Sequence, residues 1–211
     1  MKKYIIIISL VLLACSSNKP LQSDESNCNF YDKISKDDKL INIEPYNNLL
    51  EKKGYFTIIE NDSSEVTIVT NRENWRKYSI DKKSNIEKQI IYSKKTSKAV
   101  NSFSFYKKGS FNIGNEYIYN DKGEVIKTID HNKYDKYPIC YKDIIKNTIK
   151  KAGSKFYFQG LERDSLIVDN KTEYSWKVYF EDSISTSPKL RHKFFRINAK
   201  TGETIVEKIV K

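Results

Sequence analysis

Histidine is almost absent from this chain, with only His131 and His192 in 211 residues. Neither sits in an HExxH pattern or a Cys–His zinc spacing, which removes the common histidine-built metal centres. No Gly-x-Ser-x-Gly elbow, Walker loop or dinucleotide fingerprint occurs, so the sequence carries no signature of the enzymes built on them. Proline and glycine are also scarce, at four and seven residues. Regular structure is therefore rarely interrupted, and a low-complexity Pro/Gly chain is excluded. No apolar run reaches the about 20 residues that a membrane-spanning helix needs. The longest, Tyr4 to Ala14, is short and broken by Ser9.

That run nevertheless carries information. It follows the positive start Met1-Lys2-Lys3, and a charged start before a short apolar core is the pattern of a secretory signal. Leu12-Leu13-Ala14-Cys15 closes it and resembles the lipobox of bacterial lipoprotein precursors. The resemblance implies cleavage before Cys15, a diacylglyceryl group on its thiol and an acyl chain, such as palmitate, on the new amine. Two or more chains anchor a protein stably where one is marginal. Ser16 follows, and in Gram-negative lipoproteins a residue other than Asp at that place directs the protein to the outer membrane. Residues 1–14 are thus read as a signal peptide, and residues 15–36 as the lipidated cysteine and a flexible tether rich in Ser, Asn, Asp and Glu.

Charged residues make up 31% of the chain and the formal net charge is +11, falling to +9 once Lys2 and Lys3 are removed. With 15 tyrosines and 10 phenylalanines there is ample aromatic area for a core. A basic excess in a cytosolic protein would suggest nucleic acid. Export argues against that partner, and leaves an anionic envelope component, an acidic protein or simply a solvated lysine-rich surface. Oxidising conditions would also allow Cys28 and Cys140 to pair. Two unpaired thiols are the alternative reading.

Along the body, a short helix is expected from Pro45 to Lys53, capped by Gly54. Strand-like runs then follow at 55–59, 66–69, 75–80, 86–92 and 99–106, the last with Phe103 and Phe105 on one face. Glu116 to Tyr119 and Glu124 to Ile129 flank Asn120-Asp121-Lys122-Gly123, a hairpin with Gly in the left-handed position. A second helix is expected from Pro138 to Gly153, its apolar residues Tyr141, Ile144, Ile145, Thr148, Ile149 and Ala152 at three- and four-residue spacing. Strands at 156–158, 166–168, 174–180, 192–197 and 204–210 complete the pattern. The fold class is therefore α+β, with two helices packed on antiparallel sheet in meander order.

Two divisions of that fold are open. Lys52-Lys53-Gly54, Val66 to Asn71 and Trp75 to Tyr78 correspond in order to Lys151-Ala152-Gly153, Ser165 to Asn170 and Trp176 to Tyr179 at a spacing of about 100 residues. They would make two similar αβββ halves. Alternatively, residues 37–136 form a β-rich part with one short helix, joined to a different C-terminal part, 137–211. The latter carries the helix ending at Gly153, Trp176-Lys177-Val178-Tyr179-Phe180 and the run Phe194 to Glu203 with its Asn-Ala-x-Thr-Gly-Glu turn. These resemble a PepSY-type unit, which implies an exported module, some of whose members are thought to restrain peptidases. Tyr117 to Gly123 similarly resembles tyrosine-rich hairpin repeats of secreted bacterial proteins.

No catalytic, cofactor or metal residues are assigned. Asp130, His131 and Asp135 would supply a metal set, but a polar loop explains the same residues. The acid pairs Asp37-Asp38 and Glu181-Asp182 read as solvated loops, and Trp75 and Trp176 read as packing rather than as a ligand platform. The functional expectation is a lipid-anchored, non-enzymatic binding module of the bacterial envelope, its partner a protein or an anionic envelope component. A periplasmic immunity lipoprotein that neutralises a toxin is the alternative, and a hydrolase using carboxylates the remote one.

Overall fold

The computed structural model describes Cys28, residues 34–182 and residues 192–210. The signal segment, Cys15 and most of the tether lie outside these residues. Among the described residues, eleven strands form two antiparallel sheets. The first holds β1 (Tyr55–Glu60), β2 (Ser64–Thr70), β3 (Asn74–Asp81), β4 (Ile86–Ser93), β5 (Ala99–Tyr106), β6 (Phe111–Tyr119) and β7 (Val125–Asp130), paired in chain order. The second holds β8 (Phe156–Val168), β9 (Lys171–Asp182), β10 (His192–Asn198) and β11 (Thr204–Val210) in the spatial order β11-β10-β9-β8. Helix α1 (Asn47–Lys53) precedes the first sheet and α2 (Tyr141–Ala152) precedes the second. The protein is α+β and strand-dominated.

Both helices are shorter than their sequence patterns suggest. Pro45 lies in a 3-10 turn, Glu44–Tyr46, ahead of α1. Cys140 is still extended (φ −58°, ψ 135°), so α2 opens only at Tyr141, and Tyr137, Ile139 and Cys140 ahead of it are all buried in the core. Ile149 is exposed, outside the buried stripe of α2. The runs expected as separate strands at 156–158 and 166–168 are one strand, β8, because the polar stretch between them pairs with β9 along its length.

Cross-strand pairing decides what each face of the first sheet does, since opposed residues project to the same side. On one face the register aligns Ile68, Lys77, Ile90, Ser102 and Tyr117. The next row is Val66, Ser79, Lys88, Ser104 and Ile113, and the third is Ser64, Asp81, Ile86, Tyr106 and Phe111. The first row joins a core in which Ile41, Ile43 and Leu50 cover Phe56, Tyr92 and Tyr119. Ile113 and the aromatics of the third row join a separate core with Tyr141 and Ile144 of α2 and Leu161, Trp176, Phe180 and Phe195 of the second sheet.

The two sheets meet at close range. The turn Lys107–Gly109 passes beside β8, and a Cβ on Gly160 would lie 2.7 Å from the Lys108 carbonyl oxygen. Arg163 donates to the carbonyl oxygens of His131 (2.7 Å) and Asn132 (3.0 Å), just beyond β7. Its guanidinium lies over Phe111, Tyr137 and Trp176, 4.6 to 5.6 Å from their centroids. A disulfide joins Cys28 to Cys140 at the start of α2, with Cα atoms 5.8 Å apart. Cys28 belongs to the α2 core and Ile34 packs on the other.

Closing a loop over a separation of 112 residues removes denatured-state entropy worth about 4 to 5 kcal/mol. Alkylation of the unreduced protein, read by mass spectrometry, should leave Cys28 and Cys140 unlabelled, and reduction should lower unfolding stability by up to that amount. Two alkylated thiols without reductant would contradict the bridge.

Candidate functional site

The opposite face of the first sheet is built by the alternate residues. One row runs across all seven strands as Tyr55, Val69, Arg76, Ile91, Asn101, Ile118 and Lys127. Beside it lie Thr67, Tyr78, Gln89 and Phe103, then Glu65, Ile80, Glu87 and Phe105. Val69, Tyr78, Ile80, Ile91, Phe103, Phe105 and Ile118 are half-buried and belong to neither core. Among the described residues no helix or second sheet lies on them. An antiparallel sheet commonly keeps one face wet, but that face is then mainly polar. Here aromatic and aliphatic side chains alternate with Arg76, Glu87, Gln89 and Asn101.

A polar cluster borders this face where β6 and β7 pair. The Glu116 carboxylate accepts a hydrogen bond from Asn101 Nδ2 at 2.7 Å and lies 2.7 Å from His131 Nε2. Asn112 Nδ2 is 3.4 Å from the same ring nitrogen. Partial burial pushes the Glu116 carboxyl up, but the hydrogen bonds from Asn101 and His131, with the charges of His131 and Lys127, outweigh it and hold it below its ordinary value. The pair can orient an imidazole, and Lys127 adds a positive charge nearby, but among the described residues no hydrogen bond joins a Ser, Thr or Cys side chain to the His131 ring. No group of three or more His, Cys, Asp and Glu able to hold a metal occurs among the described residues.

The other residues singled out in the sequence are dispersed. Asp130 turns back to accept the Asn132 backbone N–H at 2.8 Å, while His131 turns to Glu116. His192 opens β10 in an exposed position. Asp38 accepts Lys77 Nζ at 2.6 Å, and Glu181 accepts from Gln159. Trp75 packs on the α1 core and Trp176 is buried in the α2 core, so they share no platform. Sequence reasoning missed Glu116, fifteen residues from its histidine, and Arg163, within a charged stretch without apolar alternation.

A second feature lies on the core-bearing face. Between the two cores a solvent-open cleft of about 510 Å³ has Val66, Ser79, Ile86, Lys88 and Ser104 along its floor and walls. Lys88 was legible in principle: it shares the parity of Ile86, Ile90 and Tyr92 in β4, the buried side of that strand.

No protein-family model matches the chain, and no curated protein or solved structure shows significant similarity to it.

The Glu116 site makes stability depend on pH with a definite sign. A carboxyl whose folded-state pKa is lowered contributes stability that is present above its ordinary value of 4.5 and is lost as pH falls through the lower folded value. Urea unfolding of wild type and Glu116→Gln should therefore show a gap near pH 7 that closes on acidification below about pH 4.5. A gap constant from pH 7 to pH 3 would show that the charge of Glu116 contributes nothing.

Proposed function

We propose that the chain is a bacterial envelope lipoprotein, anchored by lipid on Cys15, that binds a protein partner without chemistry through the open face of its seven-stranded sheet. The observation carrying this reading is that face itself. Seven half-buried aromatic and aliphatic residues lie side by side with charged and amide groups, outside both cores. Large contiguous apolar patches with polar neighbours mark interaction sites, and Tyr, Phe and Arg are enriched at interface centres. The mixed signs of Arg76, Glu65, Glu87 and Lys127 favour a protein surface over a purely anionic one.

Residues 137–211 are read as a PepSY-like unit, supported by the order of one helix and four antiparallel strands with a tight Asn198–Glu203 turn. The repeat is supported by the strand–turn–strand passage that carries Trp75 in one part and Trp176 in the other. The parts differ in that residues 55–70 fold as a hairpin whereas residues 156–168 run as one strand.

Two measurements test the reading. Cys15→Ser should move the protein from the membrane fraction to the soluble one, and continued tight membrane association would refute lipid anchoring. For the open face, a photo-crosslinking residue at position 103 should give a discrete adduct in cells, and one at the hairpin position Lys122 should not. Adding Ile91→Lys should abolish the adduct while changing stability by no more than about 1 kcal/mol, because Ile91 packs in neither core. No adduct from position 103, or one indifferent to Ile91→Lys, would count against this surface.

A further inference from the structure

We infer that a second cleft, beside Trp75 where residues 40–44 lie against the β4–β5 turn, is a binding site for an uncharged sugar ring, held by Trp75, Glu44, Asn42, Asn47 and Ser97. The inference concerns the core-bearing face of the first sheet, opposite the proposed partner surface, and stands independently of it.

Alternation in the segment ahead of α1 is the first observation. Ile41 and Ile43 are buried in the α1 core, while Asn42 and Glu44, next to them in the chain, are exposed. The segment is fixed to the β4–β5 turn. The Ile41 backbone N–H donates to the Ser97 carbonyl oxygen at 2.9 Å, and Leu40 forms a β-bridge with Lys98. Asn42 Oδ1 accepts the Glu44 backbone N–H at 3.2 Å, which leaves the Asn42 side-chain N–H groups to donate elsewhere. Trp75 stands opposite Tyr92 on the same side of the sheet. It packs on the α1 core, yet it is only half-buried and also lines the cleft.

The second observation is shape and lining. The cleft is open to solvent and has a volume of about 520 Å³, within the range of small-molecule sites. Its apolar part includes Trp75 and Leu40, the latter 58% exposed. Its polar part is Asn42, Glu44, Asn47 and Ser97. Among the described residues no hydrogen bond or ion pair engages the Glu44 carboxylate, the Asn47 amide or the Ser97 hydroxyl.

The donor and acceptor set decides the ligand class. One carboxylate and no cation line the cleft among the described residues, so an anion would be repelled. Lys98, across from Leu40, donates its ammonium to the Asp121 carbonyl oxygen at 2.7 Å, and Lys77 is committed to Asp38 at 2.6 Å. An ammonium ligand would use Glu44 and the indole but leave two amides and a hydroxyl without a role. A sugar ring uses every part. Its C–H groups cover the apolar area of an indole, and its neighbouring hydroxyls donate to a carboxylate and exchange hydrogen bonds with amides. The bond to Glu44 is the charge-assisted one and therefore the strongest.

Tryptophan fluorescence of the purified full chain, in a neutral detergent without a sugar headgroup, tests this. Trp176 is buried, so a ligand in the cleft acts on Trp75. The probes are maltose, cellobiose and N,N′-diacetylchitobiose, with galacturonate as the anionic control and cadaverine as the cationic one. A saturable emission change with at least one disaccharide and with neither control is expected, and it should be lost in Trp75→Phe. Glu44→Ala should weaken binding by about tenfold or more and Asn47→Ala by less, since a hydrogen bond to a charged group is worth more than a neutral one. Both residues are exposed, and thermal unfolding without ligand checks that each variant is folded; if Glu44→Ala is not, Glu44→Gln replaces it. No saturable change with any of the three sugars, an equal response to either control, a change that persists in Trp75→Phe, or unchanged affinity in the folded Glu44 variant would each overturn the proposal.

Discussion

The antiparallel register of the first sheet governs everything described above. Six consecutive ladders fix which side chains stand together, and a slip of one residue in any of them would exchange the two faces of a strand. The constraint is strict because the faces are unlike. One supplies Phe56, Ile68, Ile90 and Tyr92 to the α1 core and Tyr106 and Ile113 to the α2 core. The other carries a mixed surface on which nothing described is packed. Register errors would turn Arg76 and Gln89 towards the cores and expose Ile90 and Tyr92, a cost of several side-chain transfers at about 1.5 to 3 kcal/mol each. That cost is what holds the face pattern, and with it both candidate sites.

The second unit is attached to this frame at one end by contacts of different kinds. The disulfide acts on the unfolded chain, Gly160 permits backbone-to-backbone approach, and Arg163 supplies directed bonds. Arg163 is notable because its guanidinium is largely removed from water, yet its bonds go to backbone carbonyls and aromatic faces rather than to a carboxylate. A guanidinium suits this role better than an ammonium, because it can lie over Phe111 while two of its nitrogens reach two successive carbonyls. The neighbouring Asp164 takes Arg196 at 2.9 Å and Lys177 at 3.2 Å on the sheet itself. Adjacent residues of β8 thus serve opposite purposes, one tying the sheets together and one tying β8 to β9 and β10.

Periodicity in the sequence marks most of the strands, both helices and the hairpin turns, since each depends on neighbours in the chain. It says less about faces. Phe103 and Phe105 read as sharing one face, without saying which, and they stand on the open one while Ser102 and Ser104 point to the core side with Tyr106. Only pairing to β4 reveals this, because Tyr106 opposes Ile86 and Phe105 opposes Glu87. The Glu116–His131 contact was hidden for the same reason: a non-local ladder, Glu116 opposite Ile129, brings the two together. The strand β8 was hidden by its own polarity, since Glu162, Arg163 and Asp164 show no alternation until their partners on β9 and at the joint are known.

The polar row between the cores is where these threads meet. A row of Leu or Val at positions 79, 88 and 104 would let the two cores merge into one apolar layer, the cheaper solution by burial alone. Lys88 and the two serines prevent that, at the expense of apolar area that the sheet could otherwise have buried. Polar groups at such positions are costly unless they are bonded or wet. The cleft leaves the row in contact with water, and the charge of Lys88 acts on Asp38, the partner of Lys77 in the neighbouring row, so the structure avoids the full penalty.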